Sequence, residues 1–159
     1  MHLIDTHTHL DFPDFDPDRA SLLARSRALG VRQMVVLGVY QDNWQRLWDE
    51  VQTDPQLYAA FGLHPVYLEQ HRPEHVRELG QWLERLAGHP QLCAVGEIGL
   101  DYFLPELDRD AQQALFEAQL WLAADASLPA LLHVRRSHAQ VIATLKRFRL
   151  KRGGIIHAF

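Results

Sequence analysis

Five short apolar runs in this chain of 159 residues end on side chains that can hold a cation or move a proton. The first closes on Asp5-Thr6-His7-Thr8-His9. Later ones close on Gly62-Leu63-His64-Pro65, on Gly96-Glu97-Ile98-Gly99-Leu100-Asp101, on His133 followed by Val134 and Arg135, and on His157. His7 and His9 stand two apart, so on extended backbone both project to one side, as two imidazoles binding one ion must. Alone, a His-x-His pair is a weak signal. Each of the other residues also has a plain reading, as a core histidine bonded to backbone or a glutamate capping the next helix. Five of them at the same level of successive runs point to a metal site instead.

Imidazole nitrogen and carboxylate oxygen suit Zn²⁺, Mn²⁺ or Fe, and carboxylate also suits Mg²⁺. A carboxylate with two oxygens can bridge two ions about 3.5–4 Å apart. Such a pair polarises a phosphoryl or carbonyl oxygen and lowers the pKa of a held water from 15.7 toward about 7. Hydrolysis by a metal-bound hydroxide then needs no Ser or Cys nucleophile. Cys93, the lone cysteine, lies inside an apolar run and is expected in the core.

The elements that position these residues are legible as alternating patterns. Strand-like runs cover His2–Thr6, Gln33–Gly38, Leu57–Gly62, Leu92–Gly96, Ala130–Val134 and Gly154–Ala158. Several are apolar on both parities, as strands covered on both faces should be. Between them, Val76, Leu79, Leu83 and Leu86 recur at helical spacing, as do Ala111, Leu115, Ala118, Leu122 and Ala126. Asp16-Pro17-Asp18 predicts a helix start with Asp16 as cap, ending near Leu29-Gly30, and a weaker helix runs from Asp42 to Thr53. The alternation is that of a parallel α/β architecture. Length favours an open doubly wound sheet, since a (β/α)8 barrel needs about 250 residues. Polar residues at the C-terminal strand ends favour the TIM-barrel type, here incomplete with about six βα units.

Composition bounds the rest. With 47% hydrophobic and 23% charged residues the chain is globular, and one domain over residues 1–159 is expected. No apolar run is long enough to span a bilayer, and no secretory signal opens the chain. A single cysteine favours a reducing cytoplasm. The net charge of −4 argues against a general nucleic-acid binder. Yet residues 127–159 contain seven basic residues and no Asp or Glu, a segment that could steer an anionic substrate or simply form a solvated face.

Asp5-Thr6-His7-Thr8-His9-Leu10, Gly62-Leu63-His64-Pro65, Gly96-Glu97-Ile98-Gly99-Leu100-Asp101-Tyr102, His133-Val134-Arg135 and the run from Gly153 to Phe159 together resemble the TatD family of metal-dependent hydrolases, in the amidohydrolase superfamily. The resemblance implies a (β/α)8 barrel with a binuclear divalent-metal centre (Mg, Mn or Zn) and deoxyribonuclease activity, of 3′–5′ exonuclease type in some members. By position, it implies that His7 and His9 hold one ion, Glu97 bridges, and His133 and His157 hold the second. His64 would sit beside the metals in the substrate cleft, and Arg135 would meet a bound phosphate. The family continues beyond the sixth strand, where a further Asp ligates metal and moves protons. The expectation is therefore a piece of a longer protein whose C-terminal strands, and whose acid/base residue, come from more chain or a second chain. A DNA phosphodiesterase is the leading reading, with no membrane and no other obligate protein partner. The alternatives are an ester or amide hydrolase acting on a small molecule or aminoacyl-tRNA, and an inactive truncated metal-binding module.

Overall fold

The computed structural model describes residues 1–157, so Ala158 and Phe159 of the last motif lie outside the described residues. All six expected strands form: β1 (Leu3–Thr8), β2 (Val31–Leu37), β3 (Leu57–Phe61), β4 (Leu92–Asp101), β5 (Ala130–Arg135) and β6 (Gly154–His157). They make one parallel sheet in the order β1-β2-β3-β4-β5-β6. A doubly wound sheet would break that order at a switch point, whereas sequential order is the wall of a barrel.

The wall is curled. Laid flat, β1 and β6 would stand five strand spacings apart, roughly 24 Å. Instead the ring of His7, on β1, lies 3.8 Å from that of His157, on β6, centroid to centroid. The two ends of the sheet face one another across its concave side, and their backbones remain its edges. Leu3, Ile4 and Ile155 are exposed there, so the expectation of strands covered on both faces holds for β3 and β4 but not for β1 and β6.

Helices return the chain between strands: α1 (Arg19–Ala28), α2 (Trp44–Val51), α3 (Pro73–Arg85), α4 (Arg109–Asp125) and α5 (His138–Leu145). Trp44, Leu47, Leu79, Phe116 and Leu120 form the core with strand residues such as Val36, Phe61, Val95 and Leu132. A smaller cluster of Leu37, Ala60, Ala94 and Leu131 is separate from it. Leu131, His133 and Arg135 alternate along β5, so they share one face of the sheet.

Three details differ from the sequence reading. Asp16 does not cap α1: that helix begins at Arg19, and the Asp16 carboxylate instead accepts from the Arg19 and Arg46 guanidinium groups. Strand β4 runs on past Gly96 to Asp101, where Gly96 and Gly99 permit close approach of β5 at Leu131 and His133. On α4 the fully buried face is Gln112, Phe116, Gln119, Leu120 and Ala123, rotated from the predicted row. The two glutamines hid this face by being polar.

Candidate metal centre

Glu97, from the middle of β4, is 1% exposed and sits where β1, β4, β5 and β6 converge. Its two oxygens face different sets of imidazoles. Oε2 lies 3.1 Å from His7 Nε2 and 3.3 Å from His9 Nε2. Oε1 lies 3.2 Å from His133 Nδ1, 2.5 Å from His157 Nε2 and 3.1 Å from His64 Nε2. Thus the five expected ligand and cleft histidines gather around the carboxylate of Glu97.

Local sequence explains how they arrive. In the β5–β6 register His133 is opposite His157, and in the β4–β5 register Gly99 is opposite His133. Gly99 has φ +143°, and a Cβ there would sit 2.0 Å from the His133 carbonyl oxygen, so only glycine lets β4 and β5 close at this level. A Cβ on Gly62 would likewise come within 2.7 Å of the Glu97 carbonyl oxygen. After β1, the turn carrying His9 is held by Arg19, which donates to the Leu10 and Phe12 carbonyls, and by Arg46, which donates to that of Asp11. Asn43 donates to the buried Asp11 carboxylate at 2.7 Å.

Two clamps went unseen in the sequence. Gln112 accepts from the Asp101 amide at 2.8 Å and donates to the Asp101 carbonyl at 3.0 Å. Gln119 treats Leu63 the same way, at 2.7 and 3.0 Å. Seven apart on α4, they lie on one face and hold the ends of β3 and β4 like an added ladder rung. Asp101 was another role missed: its Oδ2 accepts from His133 Nε2 at 2.8 Å. The GEIGLD spacing held that signal, because Glu97 and Asp101 both belong to β4.

Proton positions follow from these bonds. His9 Nδ1 donates to the Leu37 carbonyl at 3.1 Å, so in the neutral ring the Nε2 lone pair points at Glu97 Oε2. His133 donates from Nε2 to Asp101, so its Nδ1 lone pair points at Oε1. Lone pairs facing a carboxylate repel unless a cation or proton lies between them, and Glu97 Oε2 is buried with no hydrogen-bond donor. The donor set therefore fits divalent metal. His7, His9 and Glu97 could hold one ion, and a second trio within ligand reach is His64, Glu97 and His133. In that trio His64 is already committed. Its Nδ1 accepts from the Val66 amide at 3.1 Å, which leaves Nε2 a donor to Glu97.

The electrostatics agree. Burial alone would raise the Glu97 carboxyl, but the surrounding imidazoles of His133, His157, His64 and His7 outweigh it and hold the group well below the usual carboxylate range. Burial works to lower His9 and His133 as well. The bond to Glu97 and its charge, joined at His133 by Asp101, raise both above the ordinary histidine value. His64 is pushed down by burial, which there outweighs Glu97. Without metal, protonation of His9 and His133 is favoured in this way.

Arg135 is exposed at the C-terminal end of β5, with its guanidinium carbon 3.7 Å from the Phe103 ring centroid. The basic residues from Lys146 to Arg152 lie on the connection from α5 back to the start of β6, at the opposite end of the strands. Of the seven cations near the C-terminus, Arg135 and Arg136 are on the site's side.

Residues 4–159 match the family model described as TatD related DNase. The chain is 41% identical over 156 residues to YjjV of Escherichia coli (strain K12), an uncharacterized metal-dependent hydrolase, covering 98% of this chain and 60% of that protein. A protein of Erwinia tasmaniensis named 3′-5′ ssDNA/RNA exonuclease TatD is 33% identical over 159 residues, covering 99% of this chain and 60% of its own. The crystal structure of the Escherichia coli YjjV protein superposes with a TM-score of 0.93, again over 99% of this chain and 60% of that one. The phosphotriesterase homology protein of Escherichia coli, 16% identical with a TM-score of 0.66 over 96% of this chain and 61% of its own, shares the fold. The chain thus spans about three fifths of the length of these relatives.

Proposed function

Because this chain belongs to the family of TatD related DNases, we propose that it is the metal-binding part of a hydrolase that cleaves phosphodiester bonds in DNA, by 3′–5′ exonuclease action. The observation that carries this reading is the division of imidazoles between the two oxygens of Glu97. That division suits two divalent ions, Mg²⁺, Mn²⁺ or Zn²⁺, bridged by one carboxylate. His7 and His9 would hold the first, with His133 and His157 holding the second. Bound there, such ions would supply polarisation of the phosphoryl oxygen and a water of lowered pKa.

The chain's own residues do the rest. Asp101 fixes the His133 ring and its tautomer, so that Nδ1 faces the centre. His64, whose two ring nitrogens are both engaged, orients Glu97 and lines the cleft beside it. Arg135 pairs with a phosphate of the bound strand, a group a guanidinium can meet with two parallel hydrogen bonds. Local cations in this way reconcile an anionic substrate with a chain of net charge −4.

Residues 1–159 are read as the first six βα units of one barrel domain. A reducing, cytoplasmic setting accords with a lone, partly buried thiol. Among the described residues no helix is long and apolar enough to cross a membrane.

Single-stranded DNA labelled at its 5′ end and incubated with Mg²⁺ or Mn²⁺ should give a ladder of shortened products that EDTA abolishes. Intact DNA alongside turnover of a chromogenic ester would replace this reading with carboxyl-ester hydrolysis.

A further inference from the structure

Phe103 stands just beyond the end of β4 and is 40% exposed. The guanidinium carbons of Arg135 and Arg136 lie 3.7 and 4.7 Å from that ring's centroid. Successive residues at a strand end ordinarily project to opposite sides. Here Arg136 adopts φ +52°, a left-handed backbone that non-glycine residues seldom take, and both side chains reach the same ring.

Stacking on an aromatic ring occupies the face of a guanidinium and leaves its in-plane N–H donors free. Among the described residues neither arginine side chain has a hydrogen bond or an ion pair. By contrast, Arg19, Arg27, Arg46 and Arg147 are all committed to carboxylates.

The ring and the arginines are also tied to the metal centre. The Phe103 amide donates to Asp101 Oδ1 at 2.9 Å, while the other oxygen of the same carboxylate holds His133. The Tyr102 amide donates to the Arg135 carbonyl at 2.9 Å. Arg135 is two residues beyond His133 on the same face of β5, about 6.6 Å along the strand. One nucleotide of an extended strand spans such a distance.

We infer that Phe103, Arg135 and Arg136 form a second phosphate subsite, which takes the phosphodiester neighbouring the one at the metal centre. Phe103 is the positioning residue that presents both guanidinium edges. The inference rests on the phosphodiesterase reading and narrows it to a substrate with at least two consecutive phosphates, a polynucleotide strand rather than an isolated diester.

The test is fluorescence anisotropy of the intact protein with a 5′-fluorescein oligo-dT in EDTA, across a salt series. Losing one phosphate contact on a single strand should lower the slope of log affinity against log salt by about 0.7. The expected result is that Arg135→Gln/Arg136→Gln shows this fall with roughly tenfold weaker binding at moderate salt. Phe103→Ala, which keeps all charges, should weaken binding severalfold, and Phe103→Tyr should restore it. Arg149→Gln, at the far end of the strands, controls for net charge.

No binding by the wild type, wild-type behaviour of the arginine variant, or an equal fall in Arg149→Gln overturns the subsite. Shortening of a 5′-labelled oligo-dT by the wild type with Mn²⁺ reports separately on the phosphodiesterase reading. Its absence, with oligonucleotide binding that still depends on Arg135 and Arg136, overturns that reading and upholds the subsite.

Discussion

Asp101 and His133 form a buried carboxylate–imidazole pair, 2.8 Å from Oδ2 to Nε2, that turns the ring's other nitrogen toward Glu97. A partner of this kind fixes the tautomer and raises the basicity of a metal-binding histidine. Asp101→Asn keeps an oxygen for the Phe103 amide but can present an NH₂ group to His133. It is expected to weaken binding at one of the two proposed metal sites by about 10–100-fold. Metal titration followed by calorimetry reads this directly, and unchanged affinity at both sites would count against the pair as an orienting device.

Glu97 faces both groups of imidazoles, so its removal should differ in kind from removal of one histidine. Glu97→Ala is expected to lose both ions, whereas His7→Ala or His9→Ala loses one equivalent and His157→Ala the other. Elemental analysis of protein purified without chelator distinguishes the patterns. Equal metal content in His7→Ala and the wild type would remove His7 from the ligand set.

The metal-free protein should be most stable near the ordinary histidine pKa, about 6.5. His9 and His133 are raised above that value, by Glu97 acting against burial, so the stability they contribute is lost as pH climbs through their folded pKa values. His64 and His71 are lowered by burial, so stability is lost as pH falls below the ordinary value toward theirs. Metal displaces the protons on His9 and His133, so its affinity should rise with pH. Melting curves with and without Mn²⁺ at pH 5.5, 6.5 and 8 test both signs, and a metal-free protein that gains stability from pH 6.5 to 8 would contradict the proton assignment.

Gln112 and Gln119 each satisfy a buried backbone amide and carbonyl at a strand end. Replacing either by Leu leaves those groups unpaired, at a cost of about 1–3 kcal/mol. Urea denaturation measures it. Phe116, on the same face, sets the scale, because Phe116→Ala should cost about 3–5 kcal/mol through the cavity it leaves.

Burial pushes the Cys93 thiol up to about 12, and its Sγ donates to the Ala59 carbonyl. Iodoacetamide at pH 8 should therefore label the folded protein far more slowly than the protein in urea. Rapid labelling of the native state would show that β4 opens locally.

Much of the site could be read along the chain because its chemistry is concentrated at strand ends. His7, His9, His64, Glu97, His133 and His157 each stand out as polar residues where an apolar run stops. The residues that orient them did not stand out. Gln112 and Gln119 look like solvent-facing helix positions, and Asp101 like a turn residue, until the partner backbone or ring is in place. Phe103 carried no pattern, since an exposed aromatic is ordinary on a surface, and Arg136 stood out only as one of the seven basic residues after residue 126.

The amino-acid sequence by itself determined the alternation of six strands with helices and which residue types would stand at the ends of those strands, because periodicity and strand termini are local properties. The tertiary structure alone decided that the sheet curls until its outermost strands bring His7 against His157. It also decided which oxygen of Glu97 faces which ring. Both depend on strand order, register and twist summed over the whole sheet, and no short stretch of chain encodes that sum.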